Sequence, residues 1–435
     1  MNEVVPQKKI INAWATYDLA NSVYNLVITA TIFPIYYNLV TSEKDENGNI
    51  IRNTVDFFGF NLKNTALYDF ALAFSFLLVA AIIPLLSGIA DYSGNKKSFM
   101  KFFCYMGASA CAALYFFDKT NIGFGILMAI FACIGFSGSL VFYNAYLPEI
   151  APSELQDKVS AKGFAMGYWG SSILLIASLA LIMTRETGAE KMLMMRYAFV
   201  LVGLWWFGFA QIPFYFLPNG KPQLEKNIQN KNSIFKGYHE IRKVFFDLRN
   251  NKQLITFLPA FFAYSMGVQT VMLVANHFGS DEIKMESSQL ITTILIIQFV
   301  AMAGAYLFSF LSKKLGNIPT LIIATIIWIL ICLGTYFFVF TPSQFYVVAG
   351  FVGLVMGGIQ SLSRSTYSKL LPKTNDNTSY FSFYDVCEKL SIVFGMLTFG
   401  IITQISNTMR TPILALIVFF VAGLVMLFMV PKNSK

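Results

Sequence analysis

The chain has 435 residues, of which 56% are hydrophobic and only 13% are charged, against ~25% charged in an ordinary soluble domain. Aromatic residues reach 16%, and the formal net charge is +9. So much apolar surface excludes a disordered chain, a collagen-like fibre and a typical cytosolic enzyme. It also moves the reading of the positive charge away from nucleic acid and toward basic loops beside a bilayer.

A membrane-spanning helix needs roughly 20 mostly apolar residues. On that scale the sequence predicts twelve spans, at 12–40, 65–90, 98–117, 122–147, 159–184, 193–217, 253–277, 287–312, 318–340, 344–370, 380–405 and 411–430. The runs are too long for strands, and they lack the alternation that a lipid-facing barrel requires. Lys8 and Lys9 precede the first run, but it is too long for a signal peptide and no small-residue cleavage site follows. It is expected to remain as a mature helix. Residues 41–64 form a long loop carrying Glu43, Asp45, Glu46 and Asp56 against three basic residues. It reads either as a cover over the outer mouth or as a plain linker.

The largest break, 218–252, opens with Pro218-Asn219-Gly220-Lys221-Pro222 and carries eight Lys and Arg. Within it Ile234, Tyr238, Ile241, Phe245 and Leu248 recur at steps of four and three, the stripe of an amphipathic helix. This helix is expected on the inner leaflet or against the span ends. The expected domains are a six-helix bundle over 1–217, a basic linker over 218–252 and a second six-helix bundle over 253–435. With the N-terminus placed in the cytoplasm, 21 Lys and Arg fall in inner loops and 9 in outer ones. That asymmetry predicts that both termini are cytoplasmic.

Gly88-Ile-Ala-Asp91-Tyr-Ser-Gly94-Asn-Lys96-Lys97 follows the second span. Leu311-Ser-Lys313-Lys314-Leu-Gly316-Asn317 follows the eighth, at the matching place in the second half, and lacks the Asp. Six plus six spans with an echoed loop suit the internal repeats of secondary transporters. The first loop resembles the motif between helices two and three of the major facilitator superfamily, departing from it at Tyr92 and Asn95. Gly94-Asn95-Lys96 does not complete a nucleotide-binding loop.

Four further stretches, in order, carry a finer resemblance. They are Trp14-Ala-Thr-Tyr17-Asp18-Leu-Ala20-Asn21-Ser22-Val-Tyr24, Phe142-Tyr143-Asn144-Ala145-Tyr146-Leu147-Pro148-Glu149-Ile150, Gly357-Gly358-Ile-Gln360-Ser361-Leu-Ser363-Arg364-Ser365, and Phe381-x-Phe383-Tyr384-Asp385-Val-x-x-Lys389. Together they resemble the bacterial relatives of the vacuolar amino-acid effluxers linked to autophagy. The resemblance implies an all-α integral membrane protein of two pseudo-symmetric six-helix bundles that transports by alternating access. It points to amino acids among small polar solutes.

A charge at the centre of a span costs about 2.5–3.5 kcal/mol, so such groups face a cavity or pair. Asp18, Ser22, Asn25 and Thr29 fall on one helical stripe. Asp18 reads either as a cavity carboxylate for a substrate amine or a proton, or as a carboxylate held by the start of its helix. Arg364, flanked by Gln360 and Tyr367, reads either as a fork for a substrate carboxylate or as the partner of Asp385 or Glu388 in an inner gate. Asp18 and Arg364 are the candidates for the amine and carboxylate of a zwitterion. Asn144 and Gln269, and less so Gln298, are expected either to line the path or to hydrogen bond between helices.

The expected gating residues are Asp91, facing span 11, with Lys96 and Lys97, and then Asp385, Glu388 and Lys389 in the first turns of span 11. Thr378 or Ser379 is the predicted N-cap of that span, and Asp385 and Lys389 are spaced for an i,i+4 ion pair. Gly163-x-x-x-Gly167 and Gly353-x-x-x-Gly357 predict close helix packing, and His277 reads either as an interfacial helix end or as a proton-sensitive gate. Five cysteines without a CxxC pair and two distant histidines predict neither a disulfide framework nor a metal site. No ATP-binding motif is present, so the expected driving force is an ion gradient, a proton among the candidates, or the substrate's own gradient. No cofactor and no nucleic acid are expected. The partners are a small-molecule substrate and membrane lipids, for a monomer in the bacterial cytoplasmic membrane. The rival readings are a polytopic membrane enzyme, whose nearest constellation here is Glu149, Glu154 and Asp157 without a His or a nucleophile, and a non-transporting receptor on the same fold.

Overall fold

The computed structural model describes residues 7–45, 50–57, 59–220, 233–374, 376–406 and 408–431. Glu46, the Lys221-Pro222 part of the linker, Lys226, Lys231, Lys432 and Lys435 lie outside them, as does the side chain of Ile234.

Among the described residues, twelve helices are long and apolar enough to cross a membrane. In chain order, spans 1 to 6 are Gln7–Thr41, Asn64–Ser93, Lys96–Phe116, Ile122–Ile150, Ser153–Met183 and Gly188–Phe216. Spans 7 to 12 are Lys252–Glu282, Ser287–Leu315, Asn317–Phe338, Pro342–Leu370, Asn377–Ser406 and Thr411–Phe428. Many run past the predicted apolar limits, because caps rather than hydrophobicity end them. Thr187 with Glu190 forms a capping box before span 6, and Thr341 with Gln344 forms one before span 10. Span 2 stops where Gly94 turns left-handed, with φ 68°, a conformation that costs glycine nothing.

Span 1 is not a uniform α-helix. Residues Tyr24–Thr31 wind as a π-helix, and the Thr31 hydroxyl donates to Leu26 O at 2.6 Å. The wider winding rotates everything beyond it. Ser22 lies before this segment, while Asn25, which is exposed, and Thr29, which is half-buried, lie within it.

Spans 1–6 pack chiefly on one another, span 1 against 5 and 6, and span 4 against 2 and 3. Spans 7–12 do the same, span 8 against 10, and span 7 against 11 and 12. We call these groups bundles one and two. They meet where span 2 runs along span 11 and where span 5 lies against spans 8 and 10. Large apolar side chains such as Phe70, Phe74, Phe310 and Phe351 remain exposed on the outside, where hydrocarbon is the natural solvent.

The chain start, the turns after spans 2 and 4 and the connection before span 11 share one end of the molecule, called the basic end here. Gln7 reaches Ile150 O there, and Asn377 reaches Glu149. At the opposite end, loop 41–64 folds into two short antiparallel ribbons that the sequence reading did not foresee. Glu43–Lys44 pairs with Ile50–Arg52, and Thr54–Phe57 pairs with Phe60–Lys63. Strands this short offer too few residues for a two-residue periodicity to show.

The predicted linker helix exists as Ser233–Asn250 and packs on span 2. Its buried face differs from the expected stripe. Val244 and Leu248 are buried, while Tyr238 and Phe245 are exposed. Lys243 Nζ bonds Asp376 Oδ2 at 3.0 Å, which ties this helix to the residue before span 11.

Candidate functional site

Asp18 and Arg364 are bonded to each other. Arg364 reaches from bundle two into bundle one, where its Nη1 lies 3.1 Å from Asp18 Oδ2; the side chains are 3% and 7% exposed. The remaining polarity of both groups is nearly used up. Arg364 Nε donates to Ser160 Oγ at 2.9 Å, Nη2 to Ser160 O at 2.9 Å and Nη1 to Asn144 Oδ1 at 3.3 Å. The Tyr143 hydroxyl donates to Asp18 Oδ2 at 2.8 Å. The guanidinium also lies over the rings of Phe164 and Trp14, 4.2 and 4.8 Å from their centroids, an arrangement that favours a weakly hydrated planar cation. The glycines of span 5 make room for span 1. A Cβ on Gly163 would strike Asp18 Oδ2, and one on Gly167 would strike Ser22 Oγ.

This corrects one expectation. Arg364 partners Asp18, not Asp385 or Glu388, because span 10 turns its polar face toward spans 1 and 5. In this state the pair is also closed on itself and presents neither charge to a solute. Asn144 belongs to this clamp. Ser160 and Phe164 escaped the sequence reading, since a lone serine or aromatic residue in an aromatic-rich chain carries no distinguishing pattern; Tyr143 stood in one of the four motif stretches, but with no role assigned to it.

Beside the clamp lies a cavity of about 50 Å³, well below the ~300–1,000 Å³ of pockets that enclose whole ligands. Gln269, Tyr264, Gln360, Ser363, Tyr384 and Glu388 line it from bundle two, and Phe164 closes it from bundle one. Gln269 and Gln360 both face this cavity. Tyr168 of span 5 donates to Gln360 Oε1 at 2.8 Å, across the bundles. Gln269 Nε2 donates to Glu388 Oε1 at 3.0 Å. Lys389 Nζ pairs with Asp385 Oδ1 at 3.3 Å, the anticipated i,i+4 pair, and with Glu388 Oε2 at 2.9 Å. These bonds of Asp385, Glu388 and Lys389 stay within bundle two, although the three were expected as gating residues.

The basic end is held by two cross-bundle latches. In the first, Asp91 accepts from the backbone N–H groups of Thr378 and Ser379, at 3.2 and 2.7 Å. A carboxylate there complements the positive end of the span 11 dipole. The cap of span 11 is therefore Asp91 from the other bundle, and the Thr378 and Ser379 hydroxyls expected in that role have no hydrogen-bond partner. Lys96 pairs with Glu149, which also accepts from Asn377 Nδ2 at 3.0 Å, so this lysine acts on the interface through one intermediary. Lys97 instead donates to Leu217 O at 2.6 Å and Asn219 Oδ1 at 3.2 Å, inside bundle one.

The second latch falls on the echoed loop. Asp157 of span 5 accepts from Ser312 Oγ at 2.8 Å, Asn317 Nδ2 at 2.8 Å and Lys369 Nζ at 2.6 Å. The acid missing from the second copy of the motif is thus supplied by the opposite bundle. Where the clamp and both latches cross the interface, bundle one contributes the carboxylates and bundle two the groups that donate to them. At the other end of the molecule, Asn276 Nδ2 donates to Ala30 O at 3.2 Å. His277 beside it is exposed. Among the described residues no group of His, Cys, Asp and Glu is arranged to hold a metal ion.

Comparisons with known proteins meet this geometry. The family described as "Vacuole effluxer Atg22 like" matches residues 6–435. The chain is 30% identical over 427 residues to the uncharacterized MFS-type transporter YxiO of Bacillus subtilis (strain 168), covering 98% of this chain and 95% of that one. It is 23% identical over 459 residues to autophagy-related protein 22 of Yarrowia lipolytica, covering 86% and 77%. Among solved structures it is similar to the major facilitator superfamily proton:xylose symporter XylE bound to 6-bromo-6-deoxy-D-glucose. The TM-score there is 0.73 at 14% identity, over 98% of this chain and 96% of that one. It is also similar to the major facilitator transporter FucP in the outward conformation, with TM-score 0.69 at 11% identity, over 99% of each chain. At such identities the solved structures speak to the fold alone.

Proposed function

Since the chain belongs to the vacuole effluxer Atg22-like family of major facilitator transporters, we propose that it moves a small polar solute, an amino acid in the first instance, by alternating access. It is an integral membrane transporter, not an enzyme. The observation that carries the proposal is the buried Asp18–Arg364 bond, which joins the two bundles directly beside a polar cavity.

With the basic end placed in the cytoplasm, the clamp and both latches hold that side closed. A solute settling against Gln269 and Gln360 can shift the equilibrium only by its differential affinity for the two states. Moving a population from 1:99 to 99:1 takes about 5.5 kcal/mol of such difference. In this scheme the solute's amine and carboxylate replace Arg364 and Asp18 as each other's partners. Breaking the clamp is then coupled to occupancy, and the latches at Asp91 and Asp157 part with it. The protein works as a monomer in the bacterial inner membrane with both termini inside, driven by an ion gradient or by the solute's own.

Counterflow in proteoliposomes loaded with labelled amino acids, dipeptides and sugars tests this. The expected result is exchange of at least one amino acid, abolished in Asp18→Asn. Silence across the amino acids with exchange of a sugar overturns the substrate class. Exchange undiminished in both Asp18→Asn and Arg364→Ala overturns the clamp.

A further inference from the structure

One group of buried charges has no part in the clamp or the latches. On span 11, Asp385 and Glu388 share the single ammonium of Lys389. With both acids ionised the trio carries one negative charge too many, in a place where Asp385 and Lys389 side chains are 3% and 4% exposed. An uncompensated charge inside a span is costly. Asp385 Oδ2 is buried and has no hydrogen-bond partner. Glu388 differs from its neighbours: its side chain is 24% exposed and lines the cavity, where Gln269 meets its Oε1.

Among the described residues the surroundings supply no second cation to the trio. Span 10 presents Arg364, which is taken by Asp18. Span 7 presents Tyr264 and Gln269, and span 4 presents Cys133 near Lys389. On span 11 itself Tyr384 and Cys387 stand nearby. Span 2 meets the first turn of span 11 through Asp91, and the linker helix brings Lys243, held by Asp376, and Asp247 to that same end. Span 12, Thr411–Phe428, contains no ionisable side chain.

Resting on the transport reading above, we infer that this trio is an exchange site. A proton on Asp385 and the side-chain ammonium of a cationic amino acid at Glu388 replace one another, while that solute's α-amine and carboxylate part the clamp, so that the transporter runs as a proton/cationic-solute antiporter. In the protonated state the Asp385 Oδ2–H bond is intact, and Lys389 serves Glu388. A solute ammonium entering the cavity engages Glu388 and displaces Lys389 toward Asp385. The O–H bond of Asp385 then breaks, its electron pair stays on the carboxylate, and the proton leaves to bulk water. One positive charge enters as one departs, so the trio together with its bound proton or ammonium is neutral in both states. Proton and ammonium cannot both be held, since only one charge needs compensation.

The test uses the full chain in lipid, with infrared spectroscopy following the carbonyl stretch of protonated carboxyl groups as pH is varied. Methylammonium chloride is the probe, against sodium chloride at equal concentration. The expected result is a titrating band that methylammonium bleaches in the wild type. The band should be missing in Asp385→Asn, moved in Asp385→Glu, and retained but insensitive to methylammonium in Glu388→Gln. A band unchanged in both Asp385 variants, or untouched by methylammonium in the wild type, overturns the inference. The measurement needs no knowledge of the transported solute, so its failure is distinct from a failure of the counterflow assay.

Discussion

Arg364 decides more than any other side chain. Its removal leaves Asp18 buried beside Tyr143 without a counter-charge, and breaking one partner out of a buried pair costs about 3–5 kcal/mol. Arg364→Ala should therefore lower the thermal unfolding midpoint in detergent and abolish counterflow. Arg364→Lys should fall between it and the wild type, because an ammonium keeps the charge but cannot span Asp18, Asn144 and Ser160 together. A melt equal to wild type in Arg364→Ala would remove the clamp from the account. The sequence made it plain that Asp18 and Arg364 each needed a partner, since charges in hydrocarbon do. It did not name the partner. Local spacing pairs residues three or four apart, whereas these two are separated by 346 positions. Depth in the membrane alone had favoured Asp385 and Glu388.

Span 11 shows the same limit one level up. Its start was legible from Asn377, Thr378 and Ser379, which are common at helix N-termini, yet the groups that satisfy its first N–H donors belong to Asp91 on span 2. A charge at a helix N-terminus contributes about 0.3–2 kcal/mol. Asp91→Asn should accordingly speed amide hydrogen exchange over residues 378–382 and leave spans 7 and 12 unchanged. Uniform exchange in the two proteins would mean that the cap lies elsewhere. Span 1 illustrates a different cause. Asp18 and Ser22 lie on the α-helical part of the predicted stripe, whereas Asn25 and Thr29 lie within the π-helical segment from Tyr24 to Thr31. A pattern counted in steps of three and four assumes one helical pitch, and nothing in Tyr24–Thr31 announces the change.

At the scale of the molecule, the twelve spans were readable because bilayer thickness sets a minimum length that no soluble element imposes. The contacts between bundles were not readable, since they join residues without any common period. Those contacts define this conformation. Removing both latch acids, as Asp91→Asn with Asp157→Asn, should shift the population toward opening at the basic end. A cysteine at Ser361, fully buried at the interface here, reports on this in a background cleared of the five native cysteines. Its maleimide labelling should accelerate several-fold in the double variant and less in either single one. Equal rates would show that the latches do not hold this state.

The sidedness of these bonds has a consequence for assembly. Carboxylates project from one half and their donors from the other, so the halves are complementary although they share an architecture. Two copies of the first half would bring Asp18, Asp91 and Asp157 face to face, and such like-charge pairing is a device against the wrong partner. Cut after Gly220 and co-expressed as separate polypeptides, the halves should therefore recover as a one-to-one complex, whereas tagged and untagged copies of the same half should not copurify.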